Sequence, residues 1–176
     1  MLIMSFANNA SLERYAMTPL RVILLAGLVA CSPRTDVSAD RAELLRLHDV
    51  ARTAHLGKRA DLMVASFADS LLDISDGVVS LRSREQNRQR FQRYFDRVSF
   101  QQWDDLAPPR IRISPDGQMA YVIVQKSVRL TSLERAGANQ PEHTVFAWVE
   151  IYEKRGGKWT LMAVASTDRP GAAQPG

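Results

Sequence analysis

The chain has one cysteine, Cys31, in 176 residues, so no intramolecular disulfide can form. Histidine is nearly as scarce. His48, His55 and His143 stand in no metal-ligand spacing, and neither a metal nor a cofactor is expected. Long hydrophobic runs are missing too. The apolar stretch 22–30 covers nine residues, where a spanning helix needs about 20, and Asn8, Asn9, Glu13 and Arg14 upstream prevent its extension. A net charge of +4 is too mild an excess to mark a nucleic-acid binder. Internal repeats are absent. These gaps leave one modest domain that must hold itself together by its core.

What is present begins at that same cysteine. Arg21 precedes the apolar run, Cys31 closes it, and Ser32-Pro33-Arg34 breaks it. A charged flank, a short apolar segment and small residues before a cut site make a secretory signal. Leu28-Val29-Ala30-Cys31 resembles the lipobox of a bacterial lipoprotein signal. That resemblance implies cleavage before Cys31, acylation of its thiol and several acyl chains, enough for stable anchoring. Acylation also leaves no free thiol for cysteine catalysis. Ser32 rather than an aspartate follows Cys31, which by the enterobacterial sorting rule implies the outer membrane, facing the periplasm. Residues 1–30 are thus read as signal peptide. Met17-Thr18-Pro19-Leu20-Arg21 suffices as a start and charged flank, which leaves 1–16 open as an over-extended start. Residues 31–38 read as a short polar, lipidated tether, 39–169 as the domain and 170–176 as a flexible tail. Loss of Arg14, Arg21 and Glu13 with the leader takes the net charge of +4 to +3.

The domain divides into a helical first part and a strand-rich second part. Apolar residues recur at helical spacing over 39–56, and Gly57 punctuates them. A shorter helix is expected over 60–68. Segments 71–75 and 78–81 flank Asp76-Gly77, the signal of a type I′ hairpin. Ser83 with Gln86 three residues on forms a capping box for a third helix reaching Val98, with Phe91, Tyr94 and Phe95 on one face. Strands are expected over 99–103, 110–114, 119–130, 144–154 and 159–167, with turns at Ser114-Pro115-Asp116-Gly117 and Arg155-Gly156-Gly157-Lys158. The long segment 132–142 reads as a hairpin connection. Helices followed by a meander make an α+β pattern.

This order resembles the nuclear transport factor 2-like superfamily, especially its SnoaL-like and ketosteroid isomerase-like members. The carriers are Ala60-Asp61-Leu62-Met63 with Ser66-Phe67-Ala68-Asp69, the helix over 84–97, and Glu150-Ile151-Tyr152-Glu153-Lys154-Arg155-Gly156-Gly157-Lys158-Trp159. The resemblance covers about 40–168. It implies a curved, mixed and mainly antiparallel sheet wrapped around three N-terminal helices, a cone holding an apolar cavity. Alternation along the last strand puts Trp159, Leu161, Ala163, Ala165 and Thr167 on one face, and Phe67, Trp103, Trp159, Leu161, Ala163 and Ala165 are the expected cavity lining. Relatives often carry ionisable groups where Ala163 and Ala165 stand here, and two alanines transfer no proton.

A ketosteroid isomerase-like mechanism implies a cavity carboxylate as base and an acidic donor opposite, both tuned by apolar surroundings. Asp73 is the candidate base, because Asp76 precedes Gly77 and reads as a turn residue. The donor tyrosine is missing: the matching turn of the first helix holds Asp49-Val50-Ala51. His48 and His55, seven apart on one helix face, are the candidate assistants, though histidines at such sites are more often satisfied core residues. Arginines crowd the third helix, but its aromatics fall at core spacing, which favours a solvated face over a phosphate-binding one. Along 144–152, Val145, Ala147, Val149 and Ile151 make one apolar face; Phe146, Trp148 and Tyr152 make the other, with Glu150 the only charge. Two apolar faces must both be covered, so a homodimer through the outer sheet face is expected. Two function classes remain. The missing donor and the paired alanines favour a non-catalytic lipoprotein that binds a small hydrophobic ligand or an envelope partner. A small isomerase, cyclase or dehydratase using a cavity carboxylate is the alternative.

Overall fold

The computed structural model describes residues 36–133 and 141–171. The expected signal peptide, Cys31 and most of the expected tether, the centre of the 132–142 connection and the end of the tail therefore lie outside the described residues.

Asp36 sets the start of the first helix, α1 (Val37–Leu56), by accepting from the Ser38 and Ala39 N–H groups at 3.1 Å each. The cap draws Val37 and Ser38, expected to be tether, into the helix. Gly57 ends α1. The second helix, α2 (Ala60–Met63), is a single turn rather than a helix to residue 68. Its termination has a tertiary cause: Phe67 pairs with Leu161, which draws Phe67 and Ala68 into a strand. That strand, β1 (Phe67–Ser75), makes a hairpin with β2 (Val78–Ser83) through Asp76 and Gly77, both at positive φ (52° and 75°) as a type I′ turn requires. Ser83 then caps α3 (Arg84–Arg97) in the reciprocal capping box with Gln86.

Five strands follow: β3 (Val98–Asp105), β4 (Arg110–Ile113), β5 (Met119–Ser132), β6 (Glu142–Arg155) and β7 (Lys158–Pro170). They join the hairpin in one seven-stranded sheet of order β2-β1-β7-β6-β5-β3, with β4 also on β5. Only β1 and β7 run parallel; the other pairings are antiparallel. The sheet is curved and unclosed, with the helices on its inner face. A core of Leu44, Phe67, Leu71, Ile111, Val122, Val124, Tyr152, Trp159 and Leu161 fills the space between. Among the described residues, no helix is long and apolar enough to cross a membrane.

One irregularity decides which side chains reach the interior. Along β6 and β7, Tyr152 faces Leu161 while Ile151 faces Ala163, so Met162 is an extra residue. Such a bulge resets the two-residue alternation. Before it, Trp159 and Leu161 point into the core. After it, Val164 is paired with the inward Glu150, and Ala163 and Ala165 pair with Ile151 and Val149 on the outer face.

Candidate functional site

A cavity of about 180 Å³ opens between α1, α3 and the inner face of β1, β6 and β7. Its wall is mainly aromatic: Phe67, Phe91, Trp103, Phe146 and Trp148, with Met63, Leu71, Leu161 and Val164 between them. Of the expected lining, Phe67, Trp103 and Leu161 stand in it. Trp159 does not: it lies deeper, its Nε1 donating to Asp40 and its ring under the Lys154 ammonium. Ala163 and Ala165 do not either, because the bulge at Met162 turns them outward. Two alanines outside the cavity have no bearing on proton transfer within it.

Five polar residues share the wall: His55, Asp73, Asn87, Arg90 and Glu150. His55 lies flat on Trp103, with ring centroids 3.7 Å apart. Its Nδ1–H donates to the Ala51 carbonyl at 2.8 Å, which leaves the lone pair on Nε2. Burial lowers its pKa to about 4, against the raising effect of the Ala51 bond, and nearby Lys126 lowers it further. The ring is thus neutral at neutral pH.

Asp73 is not poised as a free base. Its Oδ2 accepts from Arg82 at 3.1 Å and stands 3.6 Å from Arg90, and it hydrogen-bonds to neither histidine. His48 does not line the cavity. Its Nε2–H donates to Asp105 on β3, at 2.9 and 3.1 Å from the two oxygens. Lys126 of β5, 1 % exposed, donates to the same carboxylate at 2.6 Å. Burial pushes the Asp105 carboxyl up, but the bonds from Lys126 and His48 outweigh it and the net shift is downward. The two histidines share a helix face, as their spacing implies, yet serve separate structures.

Glu150, Lys126, Asp105 and Asn87 were not foreseen as site residues. Glu150 is the buried carboxylate of the wall, accepting from Trp148 Nε1 at 2.8 Å and Tyr152 Oη at 3.1 Å. Burial raises its pKa, against the lowering effects of Trp148, His48, Tyr152 and Lys126. Its signal was visible as the one charge in the otherwise apolar stretch 144–152. Lys126 likewise falls on the inward parity of Val122, Val124 and Val128. Among the described residues, no group of three or more His, Cys, Asp or Glu side chains could hold a metal ion.

No model of a known family matches the sequence. Nor does any curated protein. Solved structures do match. A nuclear transport factor 2-like superfamily protein from Salmonella enterica has 16% identity and a TM-score of 0.63, over 80% of this chain and 96% of that one. Hexachlorocyclohexane dehydrochlorinase LinA-type3 from Novosphingobium barchaimii has 14% identity and a TM-score of 0.63, over 79% and 94%. A ketosteroid isomerase-like protein from Erwinia carotovora has 12% identity and a TM-score of 0.58, over 72% and 94%. At these identities the likeness is one of fold, shared by a dehydrochlorinase and by proteins not named for a reaction of their own. The described domain has the nuclear transport factor 2-like fold, a curved seven-stranded sheet around N-terminal helices.

Proposed function

We propose that this chain is an envelope lipoprotein, acylated at Cys31, whose domain binds a small hydrophobic ligand in the aromatic cavity without transforming it. The carrying observation is how the ionisable groups are spent. Asp73 is held by Arg82 and Arg90, and the histidine–carboxylate pair, His48 with Asp105, stands off the cavity lining. Apolar surface with a few polar groups is what a binding pocket needs. Native mass spectrometry of the chain purified from envelopes tests this. A reproducible non-covalent small-molecule adduct is expected. A bare lipidated chain that also fails to bind added naphthalene would overturn the reading.

The alternative, an isomerase- or lyase-type enzyme, has one observation in its favour. Glu150 is a buried wall carboxylate with a raised pKa, the kind of group that general acid–base catalysis uses. Both its oxygens already accept internal hydrogen bonds, which suits a structural role better.

We also propose a homodimer through the outer sheet face. Cross-strand registry lines up Leu81, Leu72, Ala163, Ile151 and Tyr121 in one row, and Val79, Ile74, Ala165, Val149 and Ile123 in the next. Five strands at about 4.8 Å make this apolar face some 24 Å wide, and the two alanines keep its centre low enough for a second sheet to approach. Light scattering is expected to give a dimer for the native chain and a monomer for Val149→Arg. A native chain that is monomeric at micromolar concentration contradicts the dimer.

A further inference from the structure

Asn87 is fully buried at the start of α3 and forms part of the cavity wall. Its Nδ2 donates twice, to the Arg82 and Ser83 carbonyls, at 3.1 Å each. Carbonyls only accept, so these two bonds fix which end of the amide is nitrogen. The remaining atom, Oδ1, is buried and has no partner. An acceptor left this way is costly, and native proteins rarely keep one without a use.

The rest of the polar wall has the same bias. His55 presents a lone pair on Nε2, and both Glu150 oxygens and Asp73 Oδ2 are acceptors already in use. Donors come from Arg90, which stands beside Asp73, and from the indole N–H groups of Trp103 and Trp148, the latter spent on Glu150. Around them, Phe67, Phe91, Trp103 and Trp148 offer ring faces and edges. An anionic ligand would meet two carboxylates here, whereas a neutral ring carrying a donor would meet acceptors.

We infer that the cavity selects a neutral ring compound bearing a hydroxyl or amino hydrogen-bond donor, and that Asn87 Oδ1 accepts that hydrogen bond. The inference rests on the ligand-binding reading above and adds the chemistry of the ligand. The test titrates the full chain with naphthalene, 2-methoxynaphthalene, 2-naphthol and 2-naphthoate by calorimetry, and repeats it with Asn87→Leu. The native chain is expected to prefer 2-naphthol over 2-methoxynaphthalene by about fivefold, the usual worth of one neutral hydrogen bond. Asn87→Leu should abolish the preference, whatever the change does to the affinity for naphthalene itself. Comparing ratios between the two proteins cancels partitioning of the probes into detergent.

Should Asn87→Leu fail to fold, the Asn87 carboxamide ¹³C resonance of the native chain decides. It should shift with 2-naphthol and stay put with 2-methoxynaphthalene. Equal affinity for those two probes, or tighter binding of 2-naphthoate, overturns the donor rule while leaving the cavity as a binding site. Failure of all four to bind overturns the ligand-binding reading, and this inference with it.

Discussion

Replacing Lys126 by methionine tests the buried charge cluster that the sequence reading did not see. Lys126 is 1 % exposed and its Nζ sits 2.6 Å from Asp105. Methionine fills most of the lysine stem, so little cavity penalty arises and the loss is electrostatic. Breaking a fully buried pair costs about 3–5 kcal/mol. Asp105 is less buried, its side chain 27% exposed, and it keeps the His48 bond at 2.9 Å. We therefore expect a loss of about 2 kcal/mol, read as a fall in melting temperature of roughly 4–8 °C for a domain this size. Lys126→Met/Asp105→Asn leaves no uncompensated charge and should recover at least half of that loss. The assay is urea denaturation at pH 7 followed by circular dichroism on native, single and double variants. A single variant within about 0.5 kcal/mol of native refutes the reasoning, on the scale of an ordinary surface change. So does a double variant that loses the sum of the two singles.

Three further outcomes are expected. His55 is neutral when folded, with a pKa lowered to about 4, so the unfolded chain binds more protons between pH 4 and 6.5. Stability should fall as pH drops through that window, by on the order of 3 kcal/mol, and His55→Phe should flatten the profile; an unchanged slope in that variant would place the titration elsewhere. Ser83→Ala removes the cap oxygen that accepts from Gln86 N at 3.2 Å and should cost about 1 kcal/mol in urea denaturation; no measurable loss would mean that the N-terminal turn of α3 is held by packing alone. Cys31→Ser should move the chain out of the membrane fraction and abolish palmitate labelling, while retention of both would contradict the lipid anchor.

Much of the fold was legible because local signals and tertiary demand agree. Asp76-Gly77 fixes a hairpin and Ser83 with Gln86 fixes a helix start, and both stand where the residues indicated. What was not legible depends on partners distant in sequence. Residues 64–68 have helical composition, yet Phe67 is taken by β7 through its pairing with Leu161. The bulge at Met162 leaves no mark in the composition of β7, and one extra residue there moves Ala163 and Ala165 to the opposite face. The same slip carried the site reading with it, since the cavity positions it assigned to alanine belong to the face of Val164 and Glu150. Asn87 looked like an ordinary helix residue; its two carbonyl partners, Arg82 and Ser83, are local, and what the sequence did not show is the burial that leaves its oxygen without a partner.

Methyl NMR of the full chain with ¹³C-methionine, titrated with naphthalene, tests the central claim that the aromatic cavity takes an apolar ligand. Met63 lines that cavity, while Met119 stands 48% exposed on the other side of the sheet. The account predicts a saturable shift of the Met63 methyl, ring-current in origin, with Met119 unmoved. A Met63 resonance that stays fixed to saturating naphthalene, or a shift confined to Met119, would contradict it.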